Sequence, residues 1–449
     1  MKIVVVGAGK VGSLLCEDLS NEGHDIILIE KDEFELNVLI DKLDITGVIG
    51  NGADIDVLSE VGMKDTDVFI AVTQKDEINL LASVIAKKMG ASNSIVRVRN
   101  TEYNEHLEFM KDSLGITLMI NPDHQAAFDI VQTLQYPAAY NVESFASNRV
   151  NLVEFVIEQD SKLLNLPLSE FRHIYGNVLV GVILRKEEVI IPDGSFVIQE
   201  GDHIYVTGNQ KDMRNFGLNI FENNKVKKVF IIGGGNITFY LCQYFEKMKI
   251  HVKVIENNPK AAQALAQRFD KFEIILGDGT NQDFLLHQGI EHYDALISLT
   301  GIDEENILIS MFAHQQELSR IITKVNRTDL LKIVGDVGLQ TIITPKSIVA
   351  DHIISMVRAL YNSQGSNVEA LYRFIGNRVE ALQFKVNSKS KVINTPLKDL
   401  KTKQNLLIAY IIRGNKLFFP TGNDSIYPND SVIVISKTTL SDLDDILVS

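Results

Sequence analysis

The chain has 449 residues, enough for three or four domains of ordinary size, and its 45% apolar and 23% charged residues fit a soluble globular protein. A net charge of -14 argues against nucleic acid as a partner, because phosphate binding needs a concentrated cationic surface, and against free attraction to anionic lipid. Two cysteines, Cys16 and Cys242, lack metal-type spacing and fit a reducing compartment, and no apolar run approaches the roughly 18–20 residues of a membrane helix. Met1-Lys2 leads into an apolar run far shorter than that of a secretory signal. The expected location is cytoplasmic, with any membrane association made through a partner.

In chain order, "KIVVVG", "DIILIE", "ITGVIG", "DVFIAVT" and "SIVRVRN" read as strands, rich in Val and Ile and apolar on both faces, as parallel strands under helices are. "KVGSLLCEDLSNEG" and "DEINLLASVIAKKMG" read as helices stopped at Gly23 and Gly90. This alternation predicts an α/β doubly wound parallel sheet. "HQAAFDIVQTLQY" (124–136) has helical apolar spacing and fits either a core helix or a crossover helix at a dimer seam, as does "DHIISMVRALYN" (351–362). "VNLVEFVIE" and "DHIYVTG" then alternate polar and apolar residues, Pro192-Asp193-Gly194 marks a turn, and a helix is expected near "LPLSEFRHIY". This part is a small β-rich α+β module.

The chain then repeats itself. "VVVGAGKVGSLLCEDL" (4–19) matches "FIIGGGNITFYLCQYF" (230–245), carrying Gly7 to Gly233, Gly9 to Gly235 and Cys16 to Cys242. "ILIEKD" matches "KVIENN", so Glu30 falls on Glu256. "GNGAD" matches "GDGTN", "IAVTQKDEINLL" matches "ISLTGIDEENIL", and "VRVRN" matches "TKVNR". The β-rich parts match too, "LPLSEF" with "TPLKDL" and "IIPDGSFVIQEGDHIYVTG" with "FFPTGNDSIYPNDSVIVIS". The reading is an internal duplication of a Rossmann-like unit and a module: 1–140, 141–223, 224–365 and 366–449, the halves parting within "ENNKVKK" at 222–228.

The glycine loop has a specific physical use. Gly7 permits a tight strand-to-helix turn, Gly9 lets a pyrophosphate approach the backbone, and Gly12 lets the helix pack closely on the strand. Ala8, Lys10 and Val11 complete a loop whose helix N-terminus offers free N–H groups. Glu30 is placed for ribose hydroxyls and disfavours a 2′-phosphate, so NAD(H) fits better than NADP(H). The alternative is a turn without a ligand. The second loop, Gly233, Gly235, Asn236 and Ile237 with Glu256, is weaker, because Thr238 stands at the third glycine, and the two sites should differ in affinity. Lys10 does not belong to a P-loop, since Val4 and Val11 occupy the positions that motif needs.

Asn51-Gly52 and Asp278-Gly279 follow the third strand of each half, as a turn that caps a helix or approaches an adenine ring. Thr73 with Asp76, and Thr300 with Asp303, have a spacing that resembles a capping box more than a metal site. Arg97 and Arg99 end the fifth strand, at the carboxyl edge where sheet ligands lie, and could neutralise phosphate; Lys324 matches Arg97, and Asn326 replaces Arg99. No catalytic constellation is shared by the modules, and His287 and His292 are read as surface or packing residues. A bound nucleotide then reads as a signal that shifts a conformational equilibrium.

These stretches, from "VVVGAGKVG" through "FIIGGGNI…VIENN" to both β-rich tails, closely resemble the TrkA family of Trk potassium-uptake regulators, over nearly the whole chain. The resemblance implies two regulator-of-K-conductance (RCK) domains, each with a TrkA-C-type module, that bind NAD(H) and adenine nucleotides such as ATP or ADP. It also implies a homo-oligomer, a dimer or a tetramer ring, on the inner face of the membrane, where nucleotide state controls a TrkH/TrkG-like potassium translocation subunit. Two departures are visible. The family's Gly-Asp-Ala-Thr turn has Asn51 for its acid in the first half while the second keeps Asp278, and Thr238 replaces the third glycine. The competing readings are an NAD-dependent oxidoreductase and a nucleotide sensor for another transporter.

Overall fold

Short Val/Ile runs separated by amphipathic helices build the first sheet. In the computed structural model these are β1 (Lys2–Val6), α1 (Lys10–Asn21), β2 (Asp25–Glu30), α2 (Glu33–Ile40), β3 (Thr46–Ile49), α3 (Ile55–Val61), β4 (Val68–Ala71), α4 (Asp76–Met89) and β5 (Asn93–Arg97). Two short helices, α5 (Thr101–Asn104) and α6 (Leu107–Leu114), lead to β6 (Leu118–Ile120) and α7 (Pro122–Gln135). The structure describes all residues except 105, 137, 138, 140, 146–149, 221–225, 328, 329, 331–338, 340, 364–366, 376, 377, 415, 439 and 449. The expected stretch between the halves, 222–228, lies outside the described residues as far as 225.

The strand order is β3-β2-β1-β4-β5-β6, all parallel, the doubly wound arrangement expected from the alternation. The sixth strand was not expected, because "LMI" is three residues long and carries no period. Val4, Val6, Phe69 and Ala71 are buried against Leu58, Ala82 and Ala86 on one face, and Ile3, Val5 and Ile70, whose side chains alternate with these, are also buried, so both faces of the central strands are covered. Helix α4 carries Asp76 and Glu77 in its first turn and Lys87 and Lys88 in its last, matching the helix dipole, and stops at Gly90 in a left-handed conformation (φ 117°).

The second half repeats this. Strands β12 (Lys228–Ile232), β13 (His251–Glu256), β14 (Glu273–Leu276), β15 (Ala295–Ser298), β16 (Arg320–Lys324) and β17 (Thr341–Ile343) lie in the order β14-β13-β12-β15-β16-β17. Between them run α10 (Asn236–Met248), α11 (Pro259–Arg268), α12 (Gln282–His287) and α13 (Asp303–Gln315), and the helix Pro345–Ser363 follows; α8 (Leu168–Tyr175) and α9 (Gln210–Ile220) belong to the first β-rich module. Both parallel sheets belong to one compact unit, Met1–Val131 with Val226–Val357. Within it the halves meet through α7 and α10: Asn121 donates to the Tyr240 hydroxyl at 2.9 Å, and His124 Nε2 lies 3.0 Å from the Tyr244 hydroxyl. Of the two readings of segment 124–136, its first turns therefore serve a seam, here between two halves of one chain.

A second unit, Gln132–Lys225 with Arg358–Ser449, holds both β-rich modules. In the first, β7 (Asn141–Phe145), β8 (Val150–Val156), α8 (Leu168–Tyr175), β9 (Val178–Arg185), β10 (Glu188–Ile190), β11 (His203–Gly208) and α9 (Gln210–Ile220) make an antiparallel sheet in the order β10-β9-β11-β8-β7. In the second, β18 (Val368–Phe374), β19 (Val379–Lys385), β20 (Leu406–Arg413), β21 (Lys416–Phe418) and β22 (Ser431–Ser436) form the same arrangement. One apolar cluster draws on both modules, joining Val150, Leu152, Val182 and Tyr205 to Ala381, Tyr410, Ile433 and Ile435. In each module an arginine grips a buried aspartate two-handedly: Arg185 on Asp202 at 2.7 and 2.8 Å, and Arg413 on Asp430 at 2.9 and 2.8 Å.

Candidate functional site

The β1 strand ends at Val6 and α1 begins at Lys10, so Gly7, Ala8 and Gly9 make the whole turn. Gly7 is left-handed (φ 106°), and a Cβ there would lie 3.1 Å from the Thr73 nitrogen. Gly12 is required by packing, since its Cβ would sit 1.8 Å from the Gly7 carbonyl oxygen. Gly9 differs from both. Its backbone is ordinary (φ -63°) and a Cβ would meet nothing within 4 Å. The space that a side chain would fill is open, directly over the N-terminus of α1, where N–H groups have no partner within the helix. Lys10 is exposed there, while the Val11 side chain is buried in the core, leaving its backbone N–H to the site.

Glu30 closes the back of the turn. One carboxylate oxygen accepts from the Ala8 N–H at 2.6 Å, and the other from the N–H groups of Lys31 at 2.6 Å and Asp32 at 3.1 Å. The second half reproduces this: Glu256 accepts from the Gly234 N–H and, at 2.6 Å, from that of Asn258. The carboxylate thus shapes the loop and stands beside it, at the position from which ribose hydroxyls are read.

Gly52 and Gly279 have one physical explanation. A Cβ would strike Val6 at 2.1 Å and Ile232 at 2.2 Å respectively, so each turn lies flat on the end of its first strand. Asn51 accepts from the Ala53 N–H, and Asp278 from the Thr280 N–H and hydroxyl, which hold the Asp278 carboxyl below its usual range. The helices that follow are capped by Asp54 and Asn281. The helix-capping reading of these turns is thus observed.

The capping-box reading of Thr73 with Asp76 is corrected. Helix α4 has Lys75 at its N-cap with no side-chain bond, and the Asp76 carboxylate instead accepts from the backbone N–H groups of Arg99 and Asn100, both at 2.8 Å. Asp303 does the same for Asn326 at 2.9 Å and Arg327 at 2.8 Å. A carboxylate at the first helical position reaches the neighbouring strand end more easily than its own turn. Thr73 and Thr300 are held by residues the sequence reading passed over, Asn79 and Asn306. Asn79 accepts from the Thr73 N–H (2.9 Å) and hydroxyl (2.6 Å) and donates to the carbonyls of Thr73 (3.0 Å) and Arg97 (2.9 Å). Asn306 repeats the backbone contacts on Thr300 and Lys324. The signal was present, since both asparagines lie within the repeated "DEIN"/"DEEN".

In the second half Gly233 keeps the left-handed turn (φ 104°), and a Cβ on Gly235 would again meet nothing within 4 Å. Thr238 does not obstruct the loop: its hydroxyl donates to the Gly233 carbonyl, the counterpart of the Gly7 carbonyl that a Cβ on Gly12 would strike. A cavity of about 580 Å³, ample for a nucleotide, opens here. Its walls include Gly233, Gly235, Asn236, Ile237, Glu256, Asp278, Gly279, Thr300 and Lys324. Two first-half residues also line it, Arg99 and Asp123. Arg99 was expected to serve the sheet that carries it, but its side chain reaches the other half's cavity. Arg97 stays home, donating to the Thr73 carbonyl at 2.7 Å. Among the described residues no group of three or more His, Cys, Asp or Glu is arranged to hold a metal ion. His287 and His292 are exposed.

Both loops have the features a dinucleotide or adenine nucleotide needs: a flat approach over a helix N-terminus, an acid at the end of the second strand, and a parallel sheet with a switch point between β1 and β4 or β12 and β15.

The TrkA-N domain family matches residues 3–122 and 229–345, and the TrkA-C domain family matches 152–218 and 381–447. A "Trk system potassium uptake protein TrkA homolog" of Archaeoglobus fulgidus is 31% identical over 439 residues, covering 97% of each chain. A "Trk system potassium uptake protein TrkA" of Vibrio alginolyticus is 28% identical, covering 99% of this chain and 98% of its own. Among solved structures, "GsuK channel bound to NAD" superposes with a TM-score of 0.64 at 13% identity, over 97% of this chain and 76% of that one. "Crystal structure of the GsuK bound to ADP" superposes at 0.50 and 13% identity, over 81% and 69%. These structures share the fold. With both domain types matched twice in alternating order and a relative 31% identical across 97% of its length, the chain belongs to the TrkA family of Trk potassium-uptake proteins.

Proposed function

We propose that this protein is the cytoplasmic, nucleotide-sensing regulatory subunit of a potassium uptake system, attached to the inner membrane face through a TrkH/TrkG-like translocation subunit. The observation that carries the reading is the pair of open glycine positions, Gly9 and Gly235, each over a helix N-terminus and backed by Glu30 or Glu256. The names of the relatives support potassium uptake, and the NAD and ADP in the titles of the structural neighbours support the ligand class. No helix among the described residues is long and apolar enough to cross a membrane.

In this reading, Gly7, Ala8, Gly9, Lys10, Val11, Gly12, Glu30, Asn51, Gly52, Thr73 and Arg97 form the first site. Gly233, Gly235, Asn236, Ile237, Glu256, Asp278, Gly279 and Thr300 form the second, with Arg99 contributed to it. The loop N–H groups hold phosphate, and the two glutamates take ribose hydroxyls, favouring NAD(H), with ATP or ADP as the other candidates. The domain boundaries are proposed at 140/141, 223/224 and 365/366, and the assembly as a homo-oligomeric ring. The reading assigns no catalysis: ligand binding favours one of two conformations.

The test is co-purification with the membrane subunit, followed by potassium flux in vesicles with and without NADH, NAD, ATP and ADP. Nucleotide-dependent flux supports the reading. Steady hydride transfer to a substrate, or capture of a different transporter, contradicts it.

A further inference from the structure

The second cavity is built from both halves, and the first half brings opposite charges to it. Arg99 follows β5, its backbone fixed by Asp76. Asp123 lies in the first turn of α7, its N–H bonded to the Asn121 side chain. The Asp123 carboxylate accepts from the side chain of Asn236, the first residue of α10, at 3.0 Å, and faces the Arg99 guanidinium at 3.5 Å. Lys324 completes the group from the second half: burial pushes its amine down, Asp123 and Asp303 oppose that, and Arg99 adds to it. Two cations, Arg99 and Lys324, and the Asp123 carboxylate therefore stand together in the wall of one cavity that Glu256, Asp278 and Glu305 also line.

The internal repeat does not reproduce the pair. Asn326 stands where Arg99 does, and its side chain is tied to Asp303 at 3.1 Å. Alignment of β6 with β17 brings Pro122 onto Pro345 and places Lys346 at the position of Asp123. The charge pattern offered across the seam is thus specific to the second cavity.

We infer that Arg99 and Asp123 are specificity-determining residues of the second site: Arg99 binds the terminal phosphates of a nucleotide held there, and Asp123 opposes them. A carboxylate that engages Asn236 and faces Arg99 occupies polar partners that a phosphate would use. A ligand must then carry enough anionic charge to draw Arg99 from Asp123, which selects di- and triphosphates over a monophosphate. This rests on the reading that the second loop binds a nucleotide.

The test is calorimetric titration of the full chain with ATP, ADP and AMP. The second-site event is identified as the one lost in Gly235→Ala, and the event lost in Gly9→Ala is the internal control for folding. Arg99→Gln should weaken ATP at the second event by about fivefold, the guanidinium being half exposed, with little change for AMP. Asp123→Asn should tighten ATP several-fold and narrow the gap between ATP and AMP. If the second event is present and neither substitution changes its ATP-to-AMP ratio, the selector is overturned while nucleotide binding stands. If the wild type shows no event lost in Gly235→Ala, the underlying reading fails and the selector with it. Should Arg99→Gln lose the control event, Asp123→Asn decides alone.

Discussion

Gly12 and Thr238 occupy one position in the two halves and solve one packing problem differently. Gly12 avoids the carbonyl of Gly7, and Thr238 hydrogen-bonds the carbonyl of Gly233. Gly12→Ala forces a methyl group into a backbone oxygen and should destabilise the chain by about 1–3 kcal/mol, read by denaturant unfolding. Thr238→Val keeps the shape and removes the donor, and should cost about 1 kcal/mol because the half-buried Gly233 carbonyl loses a hydrogen bond. Equal stability of both variants with wild type would show that the loops do not depend on these contacts. The glycine spacing was legible in the sequence because Gly7 and Gly12 answer steric demands of a known turn and Gly9 leaves open space over the helix N-terminus. Asn79 was not, because an asparagine near a helix start reads as an exposed polar side chain. Only the structure shows it buried, with four hydrogen bonds joining β4, β5 and α4.

At the scale of elements, the long periodic helices and Val/Ile strands were readable, and the pieces without a period were not. The three-residue β6 and β17 take their place from the strand beside them. Asp76 and Asp303 show how a local motif loses to a tertiary one: the sequence offers a cap, and the fold spends the carboxylates on the ends of β5 and β16. In the first module, His203 on β11 and Glu154 on β8 are paired at 2.7 Å. The Glu154 bond raises the His203 pKa above its ordinary value, against the smaller opposing effect of burial. A histidine raised by folding contributes stability that is complete below its unfolded pKa and lost as pH rises through the folded one. The wild type should therefore exceed His203→Gln in unfolding midpoint below about pH 6.5, with the difference fading as pH rises. A difference that grows with pH would refute the pairing.

On the scale of the whole molecule, the duplication makes one chain do what two copies of a half would do. In one unit α7 meets α10; in the other, a shared cluster and a 2.5 Å hydrogen bond between the hydroxyls of Thr207 and Tyr410 join the modules. Residues 1–223 expressed alone would expose these faces and should self-associate, as seen by light scattering. A stable monomer with native circular dichroism would contradict that. The repeat itself was plain in the sequence. That Arg99 lines the other half's cavity was not, because spacing along the chain says nothing about which half a side chain enters.

The central claim is that both glycine loops are ligand sites and not merely turns. Its most direct test is titration of wild type, Gly9→Ala and Gly235→Ala with NADH, NAD, ATP and ADP, with thermal unfolding in parallel. At both positions a methyl group enters open space on an ordinary backbone, so stability should be unchanged. The prediction is that each variant unfolds like wild type and loses one binding event. Unchanged binding in both variants, or no binding by wild type at millimolar ligand, would contradict the account.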